Sequence, residues 1–115
     1  MQRFTVALVI LSIALLAAWG AAAQTSKGAE QIKLAGGSQG SVPFPHHRHQ
    51  QTLNDCLGCH AFLPQEPGGI AKSKTAGKLA PKQVMNSLCI QCHRDRKQAG
   101  QTTGPTGCAK CHIKE

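Results

Sequence analysis

Tyrosine is absent from this 115-residue sequence, and Trp19, Phe4, Phe44 and Phe62 are its only aromatic side chains. A core built on aromatic packing is thereby excluded. Acidic groups are also scarce, with five Asp or Glu against thirteen Lys or Arg. No apolar run reaches the roughly 20 residues that cross a bilayer. The longest covers residues 4–18 and is broken only by Thr5 and Ser12. With Arg3 before it and Ala21-Ala22-Ala23 after it, this run has the parts of a secretory signal peptide, cleaved before Gln24. No Cys follows the run and no Arg pair precedes it, which argues against a lipoprotein and against twin-arginine export. Residues 24–115 are then the working protein, periplasmic after export across the inner membrane and without membrane insertion.

Those 92 residues hold only Phe44 and Phe62 as aromatics, because Phe4 and Trp19 leave with the signal peptide. So short a chain forms one domain. With so little apolar bulk it needs a staple: disulfides, a metal or a cofactor. Six cysteines are available, all beyond residue 23. In a small exported domain disulfides are the default, but the spacing points elsewhere. The cysteines form three Cys-x-x-Cys pairs, each followed at once by His: Cys56-Leu57-Gly58-Cys59-His60, Cys89-Ile90-Gln91-Cys92-His93 and Cys108-Ala109-Lys110-Cys111-His112.

The chemistry of haem attachment explains this pattern. Two thiols add to the two vinyl groups of one haem, and the adjacent His sits beneath the iron as the proximal ligand. Three sites with no Cys left over make a strong signal. A zinc ribbon needs no fixed His and would leave an unpaired third site. Thioredoxin-like chemistry would need one pair in a strand–helix setting that is not evident here. Three haem c groups are therefore expected, bound covalently by Cys56, Cys59, Cys89, Cys92, Cys108 and Cys111, with His60, His93 and His112 as proximal ligands.

Three further histidines, His46, His47 and His49, cluster in Val42-Pro43-Phe44-Pro45-His46-His47-Arg48-His49. If Pro45 opens a helix at its first position, His46 and His49 share a face and His47 points away from both. This arrangement resembles the class III multihaem cytochromes c, most closely their three-haem cytochrome c7 group, over nearly all of residues 24–115. The family's Phe-x-His-x-x-His motif is matched by Phe44, His46 and His49. The resemblance implies that His46 is the distal ligand opposite His60, and His49 the distal ligand opposite His93. It also implies a distal ligand for the third haem four residues before the first Cys of the middle site, where the family has His and this chain has Met85. Met85 is the expected ligand, with His47 as the alternative.

The family implies a small, mostly irregular fold with short α-helices and an N-terminal two-stranded hairpin, its core formed by haems. The residues agree: Ile32-Lys33-Leu34 alternates, Gly36-Gly37-Ser38 breaks the run, and a return through Val42 completes a hairpin. Residues 62–80, with Pro64, Pro67, Gly68, Gly69 and Gly77, read as a surface loop. Pro81 is placed to start a helix running towards Gln98. Residues 100–107 then turn into the last site.

After export the chain carries twelve Lys or Arg against five Asp or Glu, a net +7 that haem propionates would reduce. Nucleic acid is excluded as a partner by export and by the missing aromatics. Lys72, Lys74, Lys78 and Lys82 form either a solvated face or a docking patch for an acidic redox protein. The expected function is one-electron transfer between redox partners by a monomeric carrier that is not an enzyme. The resemblance implies a role in anaerobic respiration. The alternatives are a haem reductase, which would need an iron with an open sixth position, and an accessory subunit of a membrane redox complex.

Overall fold

A computed structural model describes residues 27–114; the signal peptide expected over residues 1–23 lies outside them. The chain enters through a short antiparallel hairpin. Strand β1, Ile32–Leu34, pairs with β2, Val42–Phe44, so that Ile32 faces Phe44, Lys33 faces Pro43 and Leu34 faces Val42. The register follows from alternation: Ile32, Leu34, Val42 and Phe44 are half-buried, while Lys33 and Pro43 are exposed. Pro43 is tolerated because its missing N–H falls on a sheet edge. A 3-10 turn at Gly37–Gln39 and Gly40, at φ 93°, reverse the chain.

The far end of the protein returns to this hairpin. Ser41 N–H donates to Ile113 O at 3.0 Å, and Ile113 N–H donates to Ser41 O at 2.8 Å. Residues 41 and 113 thus form a one-pair extension of the sheet, which holds the preceding His112 in extended backbone at φ −96°, ψ 130°.

Helix α1, His46–Leu53, follows β2 directly. Pro45 caps it instead of occupying its first turn, and Asn54 closes it in the left-handed conformation, donating to Gln50 O at 2.9 Å. The single turn α2, Leu57–His60, is started by Asp55, whose Oδ1 accepts from Leu57 N–H at 2.9 Å. Within the expected loop over residues 62–80 lies a helix, α3, Gly69–Thr75. Periodicity could not reveal it, since Ile70 is its only large apolar side chain; Gly68 at φ 72° sets its start.

The expected helix start at Pro81 is also corrected. Lys82 sits at φ 63°, outside the helical region, and helical backbone begins only at Gln83, whose Oε1 accepts from Ala80 N–H at 2.8 Å. A π-helical turn, Met85–Cys89, then leads into α4, Ile90–Gln98, which ends where the sequence places it. The last turn, α5, is Cys108–Cys111.

Packing between these elements is sparse. Leu79 and Val84 are the only buried apolar side chains among the described residues, whereas Leu57, Phe62 and Ile113 are exposed. Two aliphatic side chains bury too little area to offset the conformational entropy of some ninety residues. The fold must therefore be organised around something other than its own side chains. Replacing Cys89 and Cys92 with Ser is expected to leave little soluble, protease-resistant protein; a stable apoprotein recovered on gel filtration would show that the peptide core suffices.

Candidate functional site

Six imidazoles define the site, and their hydrogen bonds divide them into five and one. His46 Nδ1–H donates to Ala29 O at 3.0 Å, His49 to Pro45 O at 2.9 Å, His60 to Leu63 O at 3.0 Å, His93 to Pro105 O at 2.7 Å and His112 to Gly40 O at 3.2 Å. A carbonyl only accepts, so each of these rings carries a proton on Nδ1 and leaves Nε2 as the nitrogen that can turn to a metal. His47 is the reverse: its Nε2–H donates to Gly28 O at 3.1 Å.

Local sequence explains the bonding. Pro45 O accepts both the backbone and the ring of His49, because Pro45 stands four residues earlier at the start of α1. His60 reaches Leu63 O just past its own helical turn, and His93 reaches Pro105 O in the segment leading to the third Cys pair. Phe44 packs against both distal-type rings, with centroids 6.0 Å from His46 and 4.5 Å from His49.

The rings then come together in twos. His46 and His60 have centroids 6.2 Å apart with planes at 84°, and His49 and His93 have centroids 6.2 Å apart with planes at 22°. Two metal–imidazole bonds of about 2.0 Å each, plus the nitrogen-to-centre distance on both sides, place a pair on one iron about 6 Å apart. The observed spacing has room for one iron between each pair. No aromatic ring is paired with His112 among the described residues. Met85 is half-buried in the π-turn that leads to Cys89.

No two of the six cysteines are joined as a disulfide. Burial pushes the thiols of Cys59, Cys89 and Cys111 up; Cys59 and Cys111 add to the effect at Cys89, and Cys92 adds to it at Cys59. The first and third Cys-x-x-Cys pairs therefore each have a thiol within electrostatic reach of the middle pair. Among the described residues no three His, Cys, Asp or Glu side chains converge as they would on a bare metal ion. The donor set suits a planar cofactor ligated from above and below, and two further features fit it. A Cβ on Gly104 would lie 2.5 Å from His93 Cε1 and 2.9 Å from its Nε2, so only glycine leaves that ring its place. Beside it, Thr103 Oγ1 is buried with no hydrogen-bond partner in the protein, a donor that the polar edge of a haem could satisfy.

Comparison with known proteins agrees with this geometry. Residues 42–113 match the family model for cytochrome c7 and related cytochrome c. The chain belongs to the cytochrome c7 family. A cytochrome c7 of Geobacter metallireducens is 33% identical over 75 residues, 65% of this chain and 67% of that one. Among solved structures, the triheme cytochrome PpcA of Geobacter sulfurreducens superposes with a TM-score of 0.53 at 31% identity, covering 75% of this chain and all of PpcA. PpcC, a cytochrome c7 of the same organism, gives 0.53 at 28% identity over 76% of this chain and all of that one.

Like its relatives, this cytochrome c7 is an electron-transfer protein with three covalent haem c groups, and its fold of short helices and one hairpin is theirs. Sequence reasoning missed the residues that support the ligand rings: Ala29, Leu63, Pro105 and Gly40 through their carbonyls, and Gly104 through its lack of a side chain. Main-chain acceptors leave no trace in residue type. Gly104 was visible only as a turn residue ahead of Pro105. Gly104→Ala is expected to displace the His93 ring and to destabilise the haem-loaded protein by about 1–3 kcal/mol, measured by denaturant unfolding. An unchanged midpoint would show that the ring tolerates a methyl group there.

Proposed function

We propose that residues 24–115, freed from a signal peptide over residues 1–23, act in the periplasm as a monomeric carrier that passes single electrons between redox proteins of an anaerobic respiratory chain. Bound haem iron supplies the reversible one-electron couple. The polypeptide does the rest. Cys56 and Cys59, Cys89 and Cys92, and Cys108 and Cys111 would anchor the three groups, and His60, His93 and His112 would hold their irons. His46 completes the first pair with His60, and His49 the second with His93. The single observation that carries this reading is the 6.2 Å spacing of both pairs with every Nδ1 already bonded to a carbonyl.

For the third haem we assign Met85 opposite His112. Two observations support it: the Nε2 of the competing His47 is spent on Gly28 O, and no ring lies against His112 among the described residues. The π-turn at Met85–Cys89 is the kind of irregularity that concentrates at functional positions. These residues would hold each of the three irons from both sides, which would leave no site for a substrate and favours a carrier over an enzyme. Lys72, Lys74, Lys78 and Lys82 belong to one segment around α3, and this basic surface suits an acidic partner. Lys72 spends part of its charge on Glu66, at 3.5 Å in an exposed pair worth little in stability.

Intact mass of the exported protein should equal residues 24–115 plus three haems; a bare polypeptide mass would overturn the reading. A thioether ligand raises a haem's potential relative to bis-His ligation, so one haem should titrate well above the other two. Met85→His should bring it down towards them. Met85→Ala should open it to carbon monoxide while His47→Ala leaves all three haems resistant. The opposite pattern would reassign the ligand to His47.

A further inference from the structure

Residues 27–30 are strapped across the start of α1. His46 Nδ1–H donates to Ala29 O at 3.0 Å, His47 Nε2–H to Gly28 O at 3.1 Å, Gln50 Nε2–H to Lys27 O at 2.7 Å, and the His47 backbone N–H to Glu30 O at 3.2 Å. Gly28, at φ 83°, runs so close that a Cβ there would lie 3.1 Å from His46 Cε1 and 3.3 Å from its Nδ1. The strap therefore meets the His46 ring twice, once with a carbonyl and once with the backbone of a glycine.

A carbonyl that accepts from Nδ1 fixes the ring's tautomer and orientation and raises the basicity of Nε2. It does so only while its own position is fixed. Ala29 lies between Gly28 and Glu30, and each of these neighbours is tied to His47, one through the ring and the other through the backbone. We propose that His47 is the positioning residue for His46: its side chain holds the strap that presents the Ala29 carbonyl, and so sets the orientation and donor strength of the first haem's distal imidazole. This assigns a role to the sixth histidine that requires no contact with iron. It rests on the reading of His46 and His60 as the axial pair of that haem. Gln50 acts in the same sense one turn further along α1, on the outer end of the strap.

The two imidazole pairs make a test possible because they differ in ring orientation, 84° for His46 and His60 against 22° for His49 and His93. Near-perpendicular axial imidazoles give a highly anisotropic low-spin electron paramagnetic resonance signal, and near-parallel ones a rhombic signal. In the haem-loaded protein, His47→Ala should keep three haems by intact mass and resist carbon monoxide. It should shift the highly anisotropic signal towards rhombic while leaving the other pair's signal in place. In the reduced protein, exchange of the His46 Nδ1 proton should quicken about fivefold, as loss of one fixed hydrogen bond allows. His47→Gln, which keeps an N–H donor, should restore both, and Gln50→Ala should give a smaller change in the same direction. An unaltered first-haem signal in His47→Ala, or a change that His47→Gln does not reverse, would overturn the positioning role. Carbon monoxide binding in His47→Ala would overturn it in favour of ligation. A wild-type protein with fewer than three haems, or lacking the highly anisotropic signal, would remove the axial reading and this proposal with it.

Discussion

Everything in this structure depends on one hydrogen bond made five times: an imidazole Nδ1–H donating to a main-chain carbonyl. A free histidine ring chooses between two tautomers and rotates about two bonds. One such bond fixes the tautomer and removes most of the rotation. Each carbonyl comes from a different part of the chain: the entry strap, the start of α1, the end of α2, the turn before the third Cys pair and the hairpin reversal. Orienting five rings therefore orders five separate backbone segments. In a chain whose buried apolar side chains are Leu79 and Val84 among the described residues, this coupling does what interdigitating side chains do in an ordinary core.

Glycine positions follow from the same constraint. Where a backbone segment must run flat against an imidazole, a Cβ has no room. Gly104 meets His93 in this way, and a Cβ on Gly36 would collide with the His112 ring and with Gly40 O. The hairpin, only three residues per strand, would be marginal by itself. Its stability comes from the return of Ile113 to Ser41 and from His112 bonding to Gly40 O. The third Cys-x-x-Cys-His segment and the hairpin thus hold each other.

The cofactor was legible because the chemistry of haem attachment dictates residue type and spacing at once. The hairpin was legible for a similar reason: alternation at Ile32-Lys33-Leu34 and the glycines that follow leave few other conformations. The α3 helix was not, because residues 69–75 bear one large apolar side chain and carry no periodic signal. Pro81 misled, since a proline that could start a helix instead precedes Lys82 in a left-handed conformation, a state that residue type does not announce for lysine. His47 was hardest of all. Nothing in the sequence separates a histidine that offers Nε2 to a metal from one that donates Nε2–H to a carbonyl, because the distinction lies in which backbone segment passes by.

That distinction also accounts for the irregular backbone. Helices and strands are the usual means of satisfying main-chain polar groups while burying one apolar face. When a cofactor supplies the apolar bulk, long regular elements lose that purpose, and the backbone is free to break wherever a ligand must be placed. Main-chain carbonyls at such breaks still need donors. Here the imidazoles supply them: Pro45 O at the start of α1, Leu63 O beyond α2 and Pro105 O in the turn before α5 each accept from a ring, and the first also accepts a backbone N–H. The same bonds that aim the ring nitrogens also satisfy carbonyls left over by short elements. Shortening the secondary structure and orienting the ligands are thus one physical solution, which is how a chain whose described residues include only two phenylalanines and no Tyr or Trp can hold a fold at all.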